Sequence, residues 1–307
     1  MLTESVRSLT VDGLSYAYRT VRTGTATAEP LVALGGAFQG MYDWAQMEDA
    51  LTDVADLVTT DLPGAGDSDL LRPEHGVELL DAALEAVVDD LGAERINLYG
   101  YSYGSVIAYR FAQHHPERCA RLVLGGVPAR VTDAAIARGR DAGRLVAAGD
   151  LEGFADGIAA EMFCLDESRY VHRRDLALRF FRRSLLRVAR RPHGDYLLGH
   201  ALGTHSNPVG GLTGVPALVF GGEHDTITTL EQQRDFASAI DGSHFLRVPD
   251  CDHMMMLERP DAAIALVTSF ITDTPAPAHA LSSVPRTARR DRRSRSAAPA
   301  RPGPPGN

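Results

Sequence analysis

The stretch that most constrains this chain is INLYGYSYGSVIA, from Ile96 to Ala108. An apolar run precedes the five residues Gly100-Tyr101-Ser102-Tyr103-Gly104, and an amphipathic run follows them. This order predicts a buried strand, a very tight turn and a helix. A serine at the top of such a turn sits in strained backbone, and the glycines on either side prevent collisions with neighbouring backbone.

The same arrangement has a chemical consequence. The turn lifts the Ser102 hydroxyl out of the sheet and aims the first free N–H groups of the helix at whatever the hydroxyl attacks. G-x-S-x-G between a strand and a helix is the pattern of a nucleophile elbow. The alternative is a glycine-rich turn holding an ordinary serine, and the strand and helix around the pattern favour the nucleophile.

On these residues the sequence resembles the α/β-hydrolase family, and the resemblance extends over roughly residues 10–275. It implies a mainly parallel, doubly wound α/β sheet with a helical cap inserted between two strands. The order of the elements agrees, because strands alternate with helices until about residue 129 and then stop until about residue 208. We predict a discontinuous core at 1–128 and 209–275 and a cap or lid at 129–208.

Residues 276–307 differ in composition from the rest of the chain. They are rich in proline, arginine and serine and hold few large apolar side chains, so we predict a disordered tail. The tail is basic, with seven arginines against one aspartate, although the whole chain carries a formal charge of −9. The body is therefore acidic, which argues against a nucleic-acid-binding enzyme.

The cysteines, the apolar segments and the basic residues indicate where in the cell the protein is found. Three cysteines at no metal-ligand spacing suggest neither a disulfide framework nor a zinc site. The first residues show no basic-then-apolar signal, and no apolar run approaches the length of a membrane span. All 31 basic residues are arginine, which indicates a GC-rich bacterial gene. We predict a cytoplasmic bacterial protein that does not associate with membranes.

A serine nucleophile needs a proton acceptor, and the acceptor needs an acid that orients it. In the resembled family these groups follow in the order Ser, acid, His at the carboxyl ends of later strands. The resemblance places the acid at Asp225, in GGEHD after a strand, and the base at His253, in PDCDH after the last strand. Glu223 and Asp250 remain rivals for the acid, and Asp225 could instead cap the following helix.

Other histidines compete less well for the base. His224 lies one residue from the proposed acid and His244 precedes the last strand, so neither follows a strand as His253 does. The family often has glycine directly before this histidine, whereas this chain has Asp252. An extra carboxylate there raises the pKa of the histidine if the two groups lie close together.

The resemblance also implies an oxyanion hole made of backbone N–H groups. One belongs to Tyr103, directly after the nucleophile, and the other is expected from the loop after the preceding strand, at Ala37. Many members of the family have His-Gly in this loop, and here the pair is Gly35-Gly36, so the anchoring of the loop is in question.

Several residues near these motifs are candidates for an apolar substrate pocket, although most aromatic and methionine side chains of this kind belong to a core. The candidates are Phe38, Trp44, Tyr101 and Met254. The loop DLPGAGDSD, from Asp61 to Asp69, resembles a family loop that we interpret as structural, with turn glycines and polar side chains that hold backbone groups. We interpret Cys251 as a buried thiol.

The predicted cap carries nine arginines between Leu165 and Arg191, against three acidic residues. A solvated helix face explains such a run, and the sharper alternative is a docking surface for an anionic substrate arm, such as coenzyme A or phosphopantetheine on a carrier protein.

Together these features predict a serine hydrolase that cleaves a carboxylic ester or thioester of a small-molecule acyl substrate through an acyl-enzyme, with no metal and no organic cofactor. A carbon–carbon bond or lactone hydrolase with the same triad is the alternative within enzymes. A non-catalytic small-molecule receptor on the same scaffold is the alternative outside them.

Overall fold

A computed structural model of the protein describes residues 2–72, 74–129, 133–191 and 210–284. Its centre is an eight-stranded sheet in the order β1-β2-β4-β3-β5-β6-β7-β8. The first two strands form an antiparallel hairpin around Asp12-Gly13, and β3 to β8 are parallel to one another. The strands are Thr3–Val11, Leu14–Arg22, Leu31–Leu34, Leu57–Asp61, Ile96–Tyr101, Cys119–Gly125, Ala217–Gly222 and His244–Val248.

The central strands are buried on both faces, and β3 and β7 accordingly read as runs without polar side chains in the sequence. One apolar cluster lies on each side of the sheet. The predicted mainly parallel, doubly wound architecture is therefore confirmed.

Helices cover both faces and end where the sequence indicates. For example, α2 stops at Gly92, whose φ of 65° is the left-handed conformation of a helix C-cap. The helices of the core are α1 (Glu48–Thr52), α2 (Val77–Leu91), α3 (Tyr103–His114), α7 (Leu230–Ser238), α8 (Met255–Glu258) and α9 (Pro260–Ile271).

Among the described residues between β6 and β7, three further helices lie within the predicted cap. They are α4 (Asp133–Ala147), α5 (Leu151–Met162) and α6 (Arg174–Ala189). Their apolar side chains form a cluster of their own, and Phe38 and Met254 of the core pack against it. This cluster supports the proposed cap, whose predicted residues 192–208 lie outside the described ranges.

The folded chain extends further than the predicted boundary at residue 276. A short 3-10 helix at Ala278–Ala280 buries Ala280 completely. The guanidinium of Arg259, which is 1% exposed, donates to the carbonyls of His279, Ser282 and Pro249. We call residues 276–284 the C-terminal strap, and the remainder of the predicted tail, 285–307, lies outside the described residues.

Deleting residues 276–307 is expected to destabilise the fold, since Arg259 keeps its buried charge but loses two of its carbonyl acceptors. A buried donor left without an acceptor costs about 1–3 kcal/mol, so we expect Tm to fall by on the order of 5 °C. A chain ending at residue 284 is the matched control because it keeps every contact of the strap. Equal Tm values for the two chains by calorimetry would contradict this role of the strap.

Within the described ranges, no helix combines the length and the apolar character needed to span a bilayer.

Candidate active site

Ser102 occupies the turn between β5 and α3, as the sequence predicts. Its φ of 49° and ψ of −119° are strained for a residue with a side chain. Its amide donates to the Gly125 carbonyl at 2.8 Å, so the strained conformation is held from the neighbouring strand.

The two flanking glycines are required by close backbone contacts. A Cβ on Gly104 would lie 2.2 Å from the Leu34 carbonyl oxygen, and one on Gly100 would lie 2.6 Å from the Gly104 oxygen. The helix after Ser102 therefore rests directly on the end of β3. This places the start of α3 against the loop from which the oxyanion donor is expected.

Replacing Gly104 by alanine is expected to lower both stability and activity, because the Leu34 carbonyl is backbone and cannot turn aside. Forced overpacking of this kind costs about 1–3 kcal/mol. Gly157→Ala is the matched control, since this glycine lies in α5 with nothing within 4 Å of the new Cβ. Chemical denaturation of both variants checks the difference, and an unchanged midpoint for Gly104→Ala would refute it.

His253 lies next to Ser102, although the two residues are 151 positions apart in the chain. Its Nε2 is 3.0 Å from the Ser102 Oγ, and the residue is only 1% exposed. The Tyr101 hydroxyl donates to the His253 carbonyl at 2.6 Å and so fixes the backbone that carries the ring. Gly126 lies against the ring, where a Cβ would meet the imidazole Cε1 at 3.1 Å.

The other imidazole nitrogen, Nδ1, donates to Asp225 Oδ2 at 2.9 Å. The second oxygen of this carboxylate accepts the amides of Ile227 and Thr228, and Oδ2 also accepts the Thr228 hydroxyl at 2.7 Å. Asp225 is thus fixed by three donors of its own loop besides the imidazole. It is not the N-cap of α7, since Thr229 caps that helix.

The rivals for the acid face elsewhere. Glu223 pairs with Arg247 at 2.9 Å and accepts the Asp250 amide, and Asp250 accepts the Val284 amide of the C-terminal strap. Both carboxylates therefore stabilise loops near the site, and neither has a contact with the His253 side chain in the described structure.

Two buried residues that support Asp225 were not predicted from the sequence, one in the acid loop and one in α7. Thr228 is 2% exposed and bonds the carboxylate, and Gln233 is completely buried. The Gln233 amide group donates to the Thr228 carbonyl at 2.8 Å and accepts the Val127 amide at 3.3 Å. The sequence signal in this region is the capping box formed by Thr229 and Gln232. That pattern does not indicate that the next residue, Gln233, is buried.

Opposing effects act on the pKa of His253. Burial lowers the pKa of the imidazole, whereas the charge of Asp225, its hydrogen bond and the charge of Asp252 raise it, and the sum lies above the ordinary value. The site therefore strengthens His253 as a proton acceptor.

The loop after β3 lies against Ser102. A Cβ on Gly36 would be 3.4 Å from the Ser102 Cβ, and Phe38 has a left-handed φ of 73°. In the described part of the chain the Ala37 amide donates no hydrogen bond, as an oxyanion donor requires. Gln39 Oε1 accepts the Gly36 amide at 3.2 Å, so this side chain braces the loop that lacks the family's histidine.

A cleft opens beside this loop, with an empty volume of about 1060 Å³ that includes open solvent at its mouth. Phe38 and Tyr103 line it, together with Arg187 and Arg191 from the proposed cap. Trp44 and Tyr101, expected as pocket residues, pack instead in the core, because Trp44 contacts Tyr99 edge-on and the Tyr101 hydroxyl is used by His253. Met254 lies at the junction of cap and core.

The loop from Asp61 to Asp69 has the contacts expected of a structural element. Asp61 is 4% exposed and accepts the Met41 amide at 2.7 Å, and the Ser68 hydroxyl donates to the Asp61 carbonyl at 2.5 Å. Burial raises the pKa of the Asp61 carboxyl. These bonds hold the loop after β3 against the sheet.

The arginines between Leu165 and Arg191 are mostly paired with carboxylates of the same chain. Arg182 bonds Glu152 and Asp156 of α5, whereas Arg187 pairs with Asp43 at 3.0 Å and Arg191 with Asp67 at 3.2 Å. Arg187 and Arg191 thus join the end of α6 to two loops of the core. Among the described residues of this stretch, four arginines form no ion pair, namely Arg173, Arg174, Arg179 and Arg183, and Arg174 donates instead to the carbonyls of Asp166 and Arg169.

Within the described ranges, one group of side chains has the composition of a metal site, namely Asp81, His114 and His115 between α2 and α3. His114 Nδ1 is already 2.5 Å from Asp81 Oδ2, and the Arg110 guanidinium lies 4.0 Å from the same oxygen. The Asp81 carboxylate is therefore already engaged by two side chains of the protein itself, and these contacts explain the group without a metal ion. Cys251 is completely buried, and burial raises the pKa of its thiol well above the ordinary value.

Comparison with known proteins identifies related sequences. The model of the family described as alpha/beta hydrolase fold matches residues 29–260. A 2-hydroxy-6-oxononadienedioate/2-hydroxy-6-oxononatrienedioate hydrolase of Klebsiella pneumoniae is 26% identical over 79% of this chain and 87% of its own length. A hydrolase of the same name from Paraburkholderia phymatum is 37% identical, over 33% of this chain and 37% of its own.

The first curated relatives are matched over only 38%, 41% and 37% of their lengths. Solved structures match a larger share of both chains than these relatives do. A thermophilic esterase from Thermogutta terrifontis superposes with a TM-score of 0.73 at 23% identity, over 88% of this chain and 98% of that one. At this identity the likeness concerns the fold.

Proposed function

The chain belongs to the α/β-hydrolase family, and from that premise we propose that it is a serine hydrolase that cleaves a carboxylic ester or thioester through an acyl-enzyme on Ser102. The observation that carries the proposal is the unbroken chain of contacts from the Ser102 hydroxyl to the His253 imidazole, at 3.0 Å, and on to the Asp225 carboxylate, at 2.9 Å. A nucleophile, its base and the orienting acid require this geometry.

Each step of the mechanism uses a described group. His253 Nε2 accepts the Ser102 proton while Oγ attacks the substrate carbonyl, and the Ala37 and Tyr103 amides hold the oxyanion. Asp225 keeps Nδ1 protonated, so that Nε2 is free to accept, and stabilises the imidazolium that forms. His253 then protonates the leaving group, and a water molecule activated by the same nitrogen releases the acid. No step requires a metal or an organic cofactor.

A second candidate is hydrolysis of a carbon–carbon bond, because several curated relatives are named as hydrolases of 2-hydroxy-6-oxo dienoates. The same serine, base and oxyanion donors serve both reactions, which differ in the leaving group. Lactone hydrolysis by the same triad belongs with this candidate. Serine at the elbow disfavours epoxide and haloalkane chemistry, which in this family uses a carboxylate there.

Activated acyl esters test the proposal directly. A p-nitrophenyl ester should give a burst of p-nitrophenolate equal to the enzyme concentration, and mass spectrometry should place the acyl group on the peptide that contains Ser102. Tight binding of the ester without release would instead favour a receptor. Faster turnover of a 2-hydroxy-6-oxo dienoate than of any ester or acyl thioester would favour the carbon–carbon bond hydrolase.

We also propose a thioester carried on coenzyme A or a carrier protein as one substrate class, on the basis of the unpaired arginines of α6. Reversing the charge at Arg179 and Arg183 should raise KM for acyl-coenzyme A and leave the p-nitrophenyl ester unaffected. Arg182 is excluded because its ion pairs join α5 to α6. Equal KM values in the variant and the native enzyme would remove this substrate class.

A further inference from the structure

The position directly before His253 holds a buried carboxylate, where the family often has glycine. Asp252 is 1% exposed, and Glu258, six residues later, is completely buried. Two carboxyl groups at this depth need specific partners, because burying an unpaired charge is costly. Their partners show what the pair does.

Asp252 joins two parts of the protein. Its Oδ1 accepts the Met254 amide at 2.8 Å, which shapes the turn that carries His253. Its Oδ2 accepts the Cys164 amide at 2.6 Å, and Cys164 lies between α5 and α6 in the proposed cap. The same carboxylate therefore holds both the histidine loop and the cap.

A second bond follows a few residues further along the cap. The His172 amide donates to the Asp250 carbonyl at 2.7 Å, in the backbone just before Asp252. Asp250 has a left-handed φ of 59°, a conformation that its bond to the strap helps to maintain. Residues 164–172, which we call the cap bridge, thus rest on the histidine loop at two points.

Two adjacent buried carboxyl groups cannot both be ionised, and Glu258 is the one that carries the proton. Its Oε2 accepts the Asp252 amide at 2.8 Å. Burial, and next the charge of Asp252, raise the pKa of Glu258 to about 9, although the Arg174 guanidinium of α6 opposes this. Burial also raises the pKa of the Asp252 carboxyl, but the Met254 and Cys164 amides and the bond with Glu258 oppose this. Glu258 has no such set of donors, so we place the proton of the pair on Glu258 and the negative charge on Asp252.

The charged and titratable groups that surround this pair and His253 come from every adjacent element. Asp225 approaches the imidazole from the loop after β7, Tyr101 from β5 and Arg174 from α6, while Cys251 and Arg259 flank the pair on its own segment. Of these, Asp225 and Asp252 are the carboxylates that favour the protonated imidazole.

We propose that Asp252 is a positioning residue that fastens the cap bridge to the histidine loop and places a second negative charge beside His253. This inference rests on the proposed function, in which His253 is the base. One side chain then sets both the docking of the cap and the basicity of the imidazole. The cap cannot leave the histidine loop without removing a partner of the carboxylate beside His253.

The sign of the effect on activity follows from the role of a base. His253 must be neutral to accept the Ser102 proton, so a raised pKa moves the acid limb of the kcat/KM profile to higher pH. Asp252→Asn removes the charge and should move this limb to lower pH. Glu258→Gln keeps a neutral donor beside a charged Asp252, so it should leave the limb in place and serves as the matched control.

Two measurements need no substrate. Histidine NMR should show the His253 titration shifted to lower pH in Asp252→Asn, and hydrogen exchange should show faster exchange of the Cys164 amide. Asp252→Gly, the family's residue, should do the same if the asparagine variant does not fold. Loss of the charge-assisted bond to the cap is also expected to lower kcat/KM about tenfold at the optimum.

An unchanged titration of His253 together with unchanged Cys164 exchange in folded Asp252→Asn or Asp252→Gly would overturn the inference. An equal shift of the His253 titration in Glu258→Gln would also overturn the inference. It would show that the shift arises from altered packing and not from the loss of the Asp252 charge. If the titration and exchange shift as expected while no ester, thioester or dienoate is turned over, the proposed function fails and the coupling of the cap to His253 stands.

Discussion

Ser102→Ala is expected to lower kcat for an activated ester by about 10⁶-fold, to the level left by substrate binding and the oxyanion donors alone. The reason is chemical rather than structural. In the proposed mechanism the hydroxyl is the group that attacks, and alanine has no atom that His253 can deprotonate. The strained turn is held by backbone bonds that alanine keeps, so the variant should fold with an unchanged Tm.

Ser105→Ala is the matched control for this substitution. Ser105 is buried in the first turn of α3, and its hydroxyl donates to the Ser102 carbonyl at 2.5 Å, so it supports the elbow from behind. Its loss should cost about 1 kcal/mol of stability and less than about tenfold in kcat. Comparable turnover by Ser102→Ala and the native enzyme would refute the acyl-enzyme mechanism.

Asp225→Asn is expected to lower kcat by about 10⁴-fold, because it changes which nitrogen of the His253 imidazole carries the proton. Two backbone amides, of Ile227 and Thr228, point at Oδ1, so the asparagine oxygen must take that place. The NH₂ group then faces His253 Nδ1 and donates to it. The imidazole proton moves to Nε2, which can no longer accept the Ser102 proton.

Glu223→Gln provides the comparison, since Glu223 is the neighbouring acid that pairs with Arg247 at the surface of the loop. It should retain kcat within a few fold, because exposed ion pairs contribute little. A pH series of kcat for both variants checks the assignment, and the tautomer argument is wrong if Asp225→Asn keeps more than about a tenth of native activity.

The local conformation of the chain could be predicted from sequence because it depends on neighbouring residues. The elbow at Ser102 needed only the apolar strand before it, the helix after it and two glycines, and α2 ended at Gly92 where the pattern stopped. The alternation of strands and helices, with its interruption before Ala217, predicted the sheet and the inserted helices. The tail boundary was less accurate, because composition does not reveal that Arg259 binds the strap.

What the sequence by itself determined is therefore the nucleophile turn, the family and the order of the elements, since short-range sterics and the apolar pattern encode them. Only the tertiary structure decided that Asp225 rather than Glu223 or Asp250 meets His253, that Thr228 and Gln233 secure it, and that Asp252 accepts the Cys164 amide. The physical reason is that the crossover connections bring the carboxyl ends of the strands to one edge of the sheet, where side chains distant in sequence meet. Which of these side chains form hydrogen bonds with one another depends on how the whole molecule packs.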